Sequence, residues 1–387
     1  MLCFAELGST KTSTGGAYTM IEDAFGPFAG FLANTLFWVG YGTLSGAAVL
    51  NVMSDMLGIW FPIFNAYWFR VIFLFVVLAV FAIVNIRGVK SGNRMAIILT
   101  ILKLTPLVLL VVIGVFSVRS ENLAIIELPE ISSLGAACLL LFFAFQGTES
   151  ALSISGEIKN PGKNIPKGIF MGIAGILFIY LSIQFVATGV LGTDLALFQE
   201  APLAELANRL IGPIGGTILI ATGVISMYGV MGSDIMVTPR LPFAASEDGL
   251  LPRALSRIHP KYRSPSNAII LYSGAIFIMA ISGGFKTLAV LASSATLIIY
   301  LGVVLAMFKS RLKPDLANPP MFIVPGGLLV PILSLIVLVW VLSYVPLNEF
   351  IAIGIFLIAT AIFYLGYAWW KKSNKADNEP ELKKGVS

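Results

Sequence analysis

The fold is decided by residues 139–166, which read LLLFFAFQGTESALSISGEIKNPGKNIP. Residues 142–145 are as apolar as lipid, yet Gln146, Gly147 and three more polar residues follow at once. A carboxylate such as Glu149 is costly at membrane depth without a partner or a water-filled cavity, and Gly, Ser and Thr are weak helix formers. We therefore predict a broken helix whose free backbone groups need protein, water or a ligand. A continuous helix with Glu149 hydrogen-bonded to a neighbouring helix is the alternative.

Composition places the chain in a membrane. Its 387 residues are 57% hydrophobic and only 12% charged, with a mean hydropathy of +0.91, values typical of a polytopic membrane protein and not of soluble domains. Cys3 and Cys138 form no disulfide framework or metal-like spacing, and the only histidine is His259, in a loop. This argues against a histidine-based metal site or catalytic triad, so we predict no metal, no cofactor and no enzyme activity.

Ten apolar runs reach membrane length. They lie at roughly 25–52, 67–86, 95–118, 131–155, 167–191, 212–239, 266–284, 287–308, 322–344 and 347–370. Most of the 25 Lys and Arg residues fall in the loops on one side of these runs, which the positive-inside rule assigns to the cytoplasm together with both termini. The net charge of +5 therefore reflects membrane topology, and the expected surroundings are lipid, with no nucleic acid.

Three motifs in the chain resemble the amino acid–polyamine–organocation (APC) superfamily of permeases. FFAFQGTESALSISGEIKNPGKNIPKGI, residues 142–169, resembles its sixth helix and the following loop. The join of its second and third helices resembles residues 5–31, AELGSTKTSTGGAYTMIEDAFGPFAGF. The cytoplasmic end of its eighth helix resembles residues 238–252, TPRLPFAASEDGLLP. The similarity covers nearly the whole chain in the right order. The first helix of the family, with its Gly-Ser-Gly-type break, has no counterpart here.

The resemblance implies an all-α polytopic fold, a five-plus-five inverted repeat with two added helices. The ten spans would be the third to the twelfth helices of that fold. We expect a single transporter domain at residues 1–370, incomplete at its N-terminus, and a polar cytoplasmic tail at residues 371–387. The expected location is the cell (cytoplasmic, or inner) membrane.

Lys103 lies in the middle of an apolar run, too far from either end to reach the interface comfortably. Desolvation disfavours its ammonium form unless acceptors surround it. In the permeases that the chain resembles, a lysine at this place occupies the position that sodium takes in sodium-coupled relatives, so Lys103 is a candidate coupling residue. A structural lysine bonded to backbone carbonyls is the alternative.

The resemblance places the substrate at the predicted break, with Glu149 as an acid near it and Gly147 beside it. Phe143, Ala144 and Phe145 would end the first half-helix, and their carbonyls carry the negative end of its dipole, which suits a substrate ammonium group. Phe143 falls where the family often has an aromatic cover, and it could make a cation–π contact. Taken by itself, a Phe in an apolar helix packs against its neighbours.

Asp234 is a second acid within a span, six residues before Arg240 and hence ~9 Å from the cytoplasmic end at ~1.5 Å per residue. It could pair with Lys103, relay a proton or meet a cationic substrate, and it could also merely line an inner vestibule. Ser226, earlier in the same run, lies near where the eighth helix of the family faces the cation site.

Together these features predict a secondary active amino acid transporter, working by alternating access as proton-coupled symport or amino acid exchange, with sodium less expected. No nucleotide-binding loop is present in the sequence. A non-transporting sensor or an inactive truncated relative is the alternative, because the family clamps the substrate carboxylate with the break in its first helix. Asp234 favours cationic substrates, whereas the apolar wall at residues 143–145 favours neutral ones.

Overall fold

In a computed structural model, the chain is described over residues 1–10, 16–88, 92–124, 128–147, 158–313 and 320–382. Within these ranges the secondary structure consists of helices and the turns that join them. A helix satisfies its own backbone hydrogen bonds, which a lipid environment requires. The α-helices are α1 (Leu2–Thr10), α2 (Ala17–Phe25), α3 (Pro27–Thr35), α4 (Leu44–Trp60), α5 (Tyr67–Arg87), α6 (Gly92–Gly114), α7 (Ile131–Ala144), α8 (Pro161–Leu191), α9 (Pro202–Ile211), α10 (Pro213–Val237), α11 (Arg240–Glu247), α12 (Ser266–Ser282), α13 (Phe285–Leu312), α14 (Leu329–Leu342) and α15 (Leu347–Leu382).

Each of the ten predicted apolar runs contains a helix, but the helices differ in length. Among the described residues, seven are long and apolar enough to cross a membrane: Pro27–Trp60, Tyr67–Arg87, Ile97–Ser117, Gly162–Leu197, Pro213–Glu247, Phe285–Leu312 and Leu347–Trp370. Three more are apolar but shorter, Ile131–Ala144, Ser266–Ser282 and Leu329–Leu342. Polar residues or glycines limit these three: α7 stops before the polar run, α12 stops at Gly283, and α14 follows Gly326 and Gly327. The chain is thus a multi-pass membrane protein.

Helix α13 lies at the centre of the bundle. In its most apolar window 72% of the residues are buried, against 11% in the spans formed by α6, α8 and α15. It packs against α4, α2, α7 and α14 and buries small residues, among them Ser293, Ser294 and Ala295. Small side chains let helix backbones approach closely in a membrane. The less buried spans present their apolar surface outward, as lipid-facing helices do.

A π-helical segment, Leu36–Thr43, joins α3 to α4 within one continuous span. The Thr43 hydroxyl in this segment donates to the carbonyl of Trp38, five residues earlier, at 2.9 Å. This five-residue spacing matches the wide turn of a π-helix. Gly42 in this segment has no room for a side chain, since a Cβ would lie 2.8 Å from both the Tyr272 hydroxyl and the Thr238 methyl group. The π-helical segment thereby brings the span against α10 and α12.

The N-terminal helix α1 is fastened to the end of α13 by a buried ion pair. Arg311 donates from Nη2 to Glu6 Oε2 at 2.6 Å and from Nε to Oε1 at 2.9 Å, and the two side chains are only 14% and 5% exposed. The Val324 N–H also donates to Glu6 at 2.7 Å, while Arg311 donates to the carbonyls of Val324 and Gly327. Bidentate, charge-assisted contacts of this kind fix geometry as well as add energy.

Helix α7 ends at Ala144, next to the predicted break. The N–H groups of Phe145 and Gln146 donate to Phe142 and Phe143 at 3.1 and 3.3 Å, and Gly147 has φ +109°, a value that glycine adopts readily. Residues 148–157, with the predicted site residue Glu149, lie outside the described part of the chain. At the C-terminus, α15 runs on to Leu382, so much of the predicted tail is helical, in keeping with its Lys, Ala and Glu residues.

Candidate functional site

A cavity of about 300 Å³ lies between the span Pro27–Trp60, α6, α10 and the turn that follows α7. This volume is at the lower end of the range found for small-molecule sites. The residues that line it are Tyr41, Gly42, Ser45, Gly46, Val49, Leu99, Thr100, Lys103, Gly147, Ser226, Gly229, Val230, Met231, Ser233, Asp234, Val237 and Thr238. Lys103, Gly147, Ser226 and Asp234, which the sequence analysis singled out separately, are thus placed around one space.

The Asp234 carboxylate is held by two hydroxyl groups. Thr238 Oγ1 donates to Oδ1 at 2.6 Å from one turn further along the chain. Tyr272 Oη donates to Oδ2 at 2.6 Å from α12, where its side chain is fully buried. Gly46 of α4 lies beside the carboxylate, since a Cβ there would be 3.4 Å from Asp234 Oδ2 and 3.2 Å from Ile276 Cδ1. Three spans therefore meet at one carboxylate.

Lys103 enters the cavity from α6 and is half-buried. No other residue in the described ranges makes a hydrogen bond or ion pair with its ammonium group. Pro106, three residues on, lies inside the helix and has no N–H to donate to the Leu102 carbonyl. The turn that carries Lys103 is therefore less firmly bonded than the rest of α6.

The aromatic residues at the end of α7 lie away from this cavity wall. The Phe143 ring packs edge-on against Phe285, with centroids 5.9 Å apart, and Phe145 packs in the same way against Tyr180 at 5.3 Å. The Tyr180 hydroxyl donates to the carbonyl of Ala144 at 3.1 Å. One acceptor position at the helix end is thus occupied by the protein itself.

Gln146, between α7 and Gly147, carries a polar group that is not satisfied. Its Nε2 donates weakly to Ser293 Oγ at 3.5 Å, whereas its buried Oε1 has no hydrogen-bond partner among the residues that the structure describes. A buried acceptor without a donor costs about 1–3 kcal/mol. The end of α7 therefore offers an acceptor to a ligand that carries N–H or O–H groups.

Sequence reasoning missed several of these residues. Tyr272 stands in the apolar run IILYSGAIF, and a buried tyrosine hydroxyl needs a partner, so its presence was a usable signal. Thr238 lies four residues after Asp234, one helical turn away. Nothing in the sequence pointed to Tyr180 or Ser293. Among the described residues, no group of three His, Cys, Asp or Glu side chains could hold a metal ion.

A multi-pass helical bundle with a charged cavity and a helix that ends beside it is the architecture of a membrane transporter. The Amino acid permease family model matches residues 1–368, and the chain therefore belongs to the amino acid permease family of the APC superfamily, as its three motifs predicted. It is an amino acid transporter of this family and not an enzyme.

Curated relatives agree with this assignment. The serine/threonine exchanger SteT of Bacillus subtilis (strain 168) is 30% identical over 316 residues, which cover 79% of this chain and 70% of the relative. The large neutral amino acids transporter small subunit 2 of Homo sapiens is 26% identical over 390 residues, covering 96% and 71%. The Asc-type amino acid transporter 1 of Mus musculus is 27% identical over 390 residues, covering 96% and 72%.

Proposed function

We propose that the chain is a secondary active transporter that carries amino acids by alternating access around the cavity between α6 and α10. The observation that carries this proposal is the cavity itself, in which Lys103, Asp234 and several hydroxyl groups are gathered inside a membrane protein. Charged side chains within a span face a pathway or a partner, because lipid excludes them. The permease family to which the chain belongs supplies the class of substrate.

We also propose the five-plus-five inverted repeat with two added helices, in which the ten apolar helices are the third to the twelfth. Both ends of the described chain would then face the cytoplasm of a cell whose inner membrane holds the protein. The distribution of lysine and arginine supports this orientation. Cysteine labelling of single-cysteine variants in right-side-out vesicles would measure it.

The substrate is proposed to be a zwitterionic amino acid with a neutral side chain. The names of the relatives, which refer to large neutral amino acids and to serine and threonine, support this choice. The charges of the cavity support it too, since Lys103 and Asp234 give its wall one charge of each sign. The proposed substrate-binding set remains Phe143, Ala144, Phe145, Gly147 and Glu149. Gln146 Oε1, which has no hydrogen-bond partner among the described residues, is proposed as an additional acceptor for the substrate ammonium.

Coupling is proposed to be either amino acid exchange or symport with protons, without sodium. The name of the bacterial relative, an exchanger, supports exchange. Lys103 supports proton coupling, because a lysine in a cavity within the membrane can occupy the place of a sodium ion and change its charge. Ser226, which also lines the cavity, would be an oxygen ligand for the cation group.

Uptake of radiolabelled amino acids into proteoliposomes tests these proposals. Empty vesicles, vesicles preloaded with unlabelled amino acid and vesicles with an imposed pH gradient separate symport from exchange, and competition by all twenty amino acids defines the substrate. Saturable uptake inhibited by neutral amino acids is expected. Lys313→Gln, at an exposed position after α13, is a matched control that should transport like the wild type. Uptake no greater than that of protein-free vesicles would overturn the proposed function.

A further inference from the structure

The cavity wall contains two charged side chains among the described residues that line it, and they have opposite signs. Lys103 comes from α6 and Asp234 from α10, two helices that pack directly against each other. The other lining residues are apolar, glycine or hydroxyl-bearing. Each charge would be unfavourable alone in this setting, because the cavity lies between membrane-spanning helices.

The orientation of the Asp234 carboxylate is set by neighbours from other elements. Tyr272 approaches from α12 and Thr238 from the end of α10, each at 2.6 Å. Gly42 lies against Tyr272 Oη and the Thr238 methyl group, and Gly46 lies beside Asp234 Oδ2. A carboxylate oxygen accepts about two hydrogen bonds, so each oxygen keeps one acceptor position for the cavity side.

Lys103 is the donor group in the cavity wall that matches these acceptor positions. Its ammonium carries three donors, and none of them is used by another described residue. Within the described ranges, the remaining titratable groups that face Asp234 are the phenols of Tyr272, from α12, and of Tyr41, from the π-helical segment. Lys103 is therefore the one cation among the described residues placed to balance the carboxylate within this cavity.

We propose that Asp234 is the counter-charge that retains the Lys103 ammonium at the cavity wall, and that Tyr272 and Thr238 are positioning residues that aim its carboxylate. Opposite charges in one partly enclosed cavity attract each other, and removal of one partner leaves the other charge in the cavity without a counter-charge. A proton on Asp234 cancels its charge and releases Lys103. The consequence for transport rests on the proposed function, whereas the pairing itself does not.

A double-mutant cycle in detergent tests the pairing without any transport measurement. Asp234→Asn and Lys103→Gln should each lower the melting temperature, and the double variant should lose clearly less than the sum of the two. As a control, the same cycle made with Lys313→Gln in place of Lys103→Gln should give additive shifts in melting temperature. If Asp234→Asn does not fold alone, recovery of folded protein on addition of Lys103→Gln supports the pairing. Additive losses, or no recovery, overturn it.

The positioning roles are tested by the dependence of uptake on pH. Tyr272→Phe should move the midpoint of that dependence by roughly 0.5–1 pH unit, the size expected for one lost hydrogen bond to a charged group, and Thr238→Val should act in the same direction. Neither variant should move the midpoint in an Asp234→Asn background, and Tyr262→Phe, in a loop beside His259, should not move it at all. If Tyr272→Phe shifts the pH midpoint equally in the wild-type and Asp234→Asn backgrounds, Tyr272 only packs in the core and its positioning role is overturned. If the wild type takes up no amino acid, the proposed function fails while the stability cycle still decides the pairing.

Discussion

Two of the sets of opposite charges in the described part of this helix bundle are surrounded differently by the protein. Glu6 and Arg311 meet in a bidentate contact, and backbone groups of Val324 and Gly327 complete their hydrogen bonding. Lys103 and Asp234 instead share a cavity, and only the carboxylate has partners among the described residues. A fully bonded pair resists motion, whereas a partly bonded pair can exchange partners. The comparison separates a charge pair that fastens the fold from charges available for transport.

The largest expected effect is a loss of stability when the Glu6–Arg311 ion pair is broken. Arg311→Met should destabilise the protein by about 3–5 kcal/mol, because it leaves the Glu6 carboxylate buried without a counter-charge. Thermal unfolding in detergent would measure the loss. Arg209→Gln, which removes an exposed contact with Asp194 and Glu205, is the control and should cost far less. Equal losses in the two variants would show that burial does not distinguish these pairs.

The second largest effect is expected at Lys103, in the cavity that it shares with Asp234. Lys103→Ala should flatten the dependence of uptake on pH and lower its rate roughly tenfold or more, which corresponds to about 1.4 kcal/mol of lost electrostatic stabilisation. Wild-type uptake should be independent of sodium and should rise as the external pH falls. The melting temperature of the variant must be measured alongside. A stable variant with the wild-type profile, or a requirement for sodium, would contradict proton coupling through Lys103.

A smaller effect is expected where the backbone approaches the carboxylate. Gly42→Ala places a methyl group 2.8 Å from the Tyr272 hydroxyl and the Thr238 methyl, so both donors to Asp234 must shift, at a cost of about 1–3 kcal/mol. Reduced uptake together with a lower melting temperature is expected. Gly274→Ala, with no atom within 4 Å of the added group, is the matched control. If the two variants behave alike, the close packing at Gly42 has no bearing on the site.

The smallest effect concerns a carboxyl outside the spans. Burial, followed by the charges of Asp248 and Asp23, raises the pKa of Glu22 above its ordinary value of 4.5. The folded state then binds its proton more tightly than the unfolded state, so stability is lost as pH rises from about 4.5 through the raised pKa. Glu22→Gln should remove that part of the pH dependence of the melting temperature. Unchanged curves for the wild type and the variant would rule out this contribution.

Local features of the fold could be predicted from the sequence. The apolar runs located the helices, and the switch from Phe145 to Gln146 marked the end of α7 to within one residue, because lipid and helix propensity act on short stretches of chain. The permease motifs identified the family. These signals need no knowledge of which helices are neighbours.

Contacts between distant residues could not be predicted in the same way. Asp234 meets Tyr272 38 residues later, and Glu6 meets Arg311 across 305. In an almost uniformly apolar helix, no stripe of polar residues shows which face turns toward which neighbour. The same lack of pattern hides the ring contacts of Phe143 with Phe285 and of Phe145 with Tyr180. The place of both residues at the substrate stays a prediction.

The π-helical segment Leu36–Thr43 has a consequence for how the span Pro27–Trp60 presents its faces. Hydrogen bonds that close on the fifth residue rather than the fourth accommodate one extra residue, and one residue corresponds to ~100° of rotation about a helix axis. If one face of the span is extrapolated from Pro27 at the regular α-helical spacing, its direction at Gly46 is therefore wrong by about a quarter turn. The extra residue works as an angular offset: Gly40, within the π-helical segment, faces Ala295 of α13, whereas Gly46, further along the same span, faces Ile276 and Asp234.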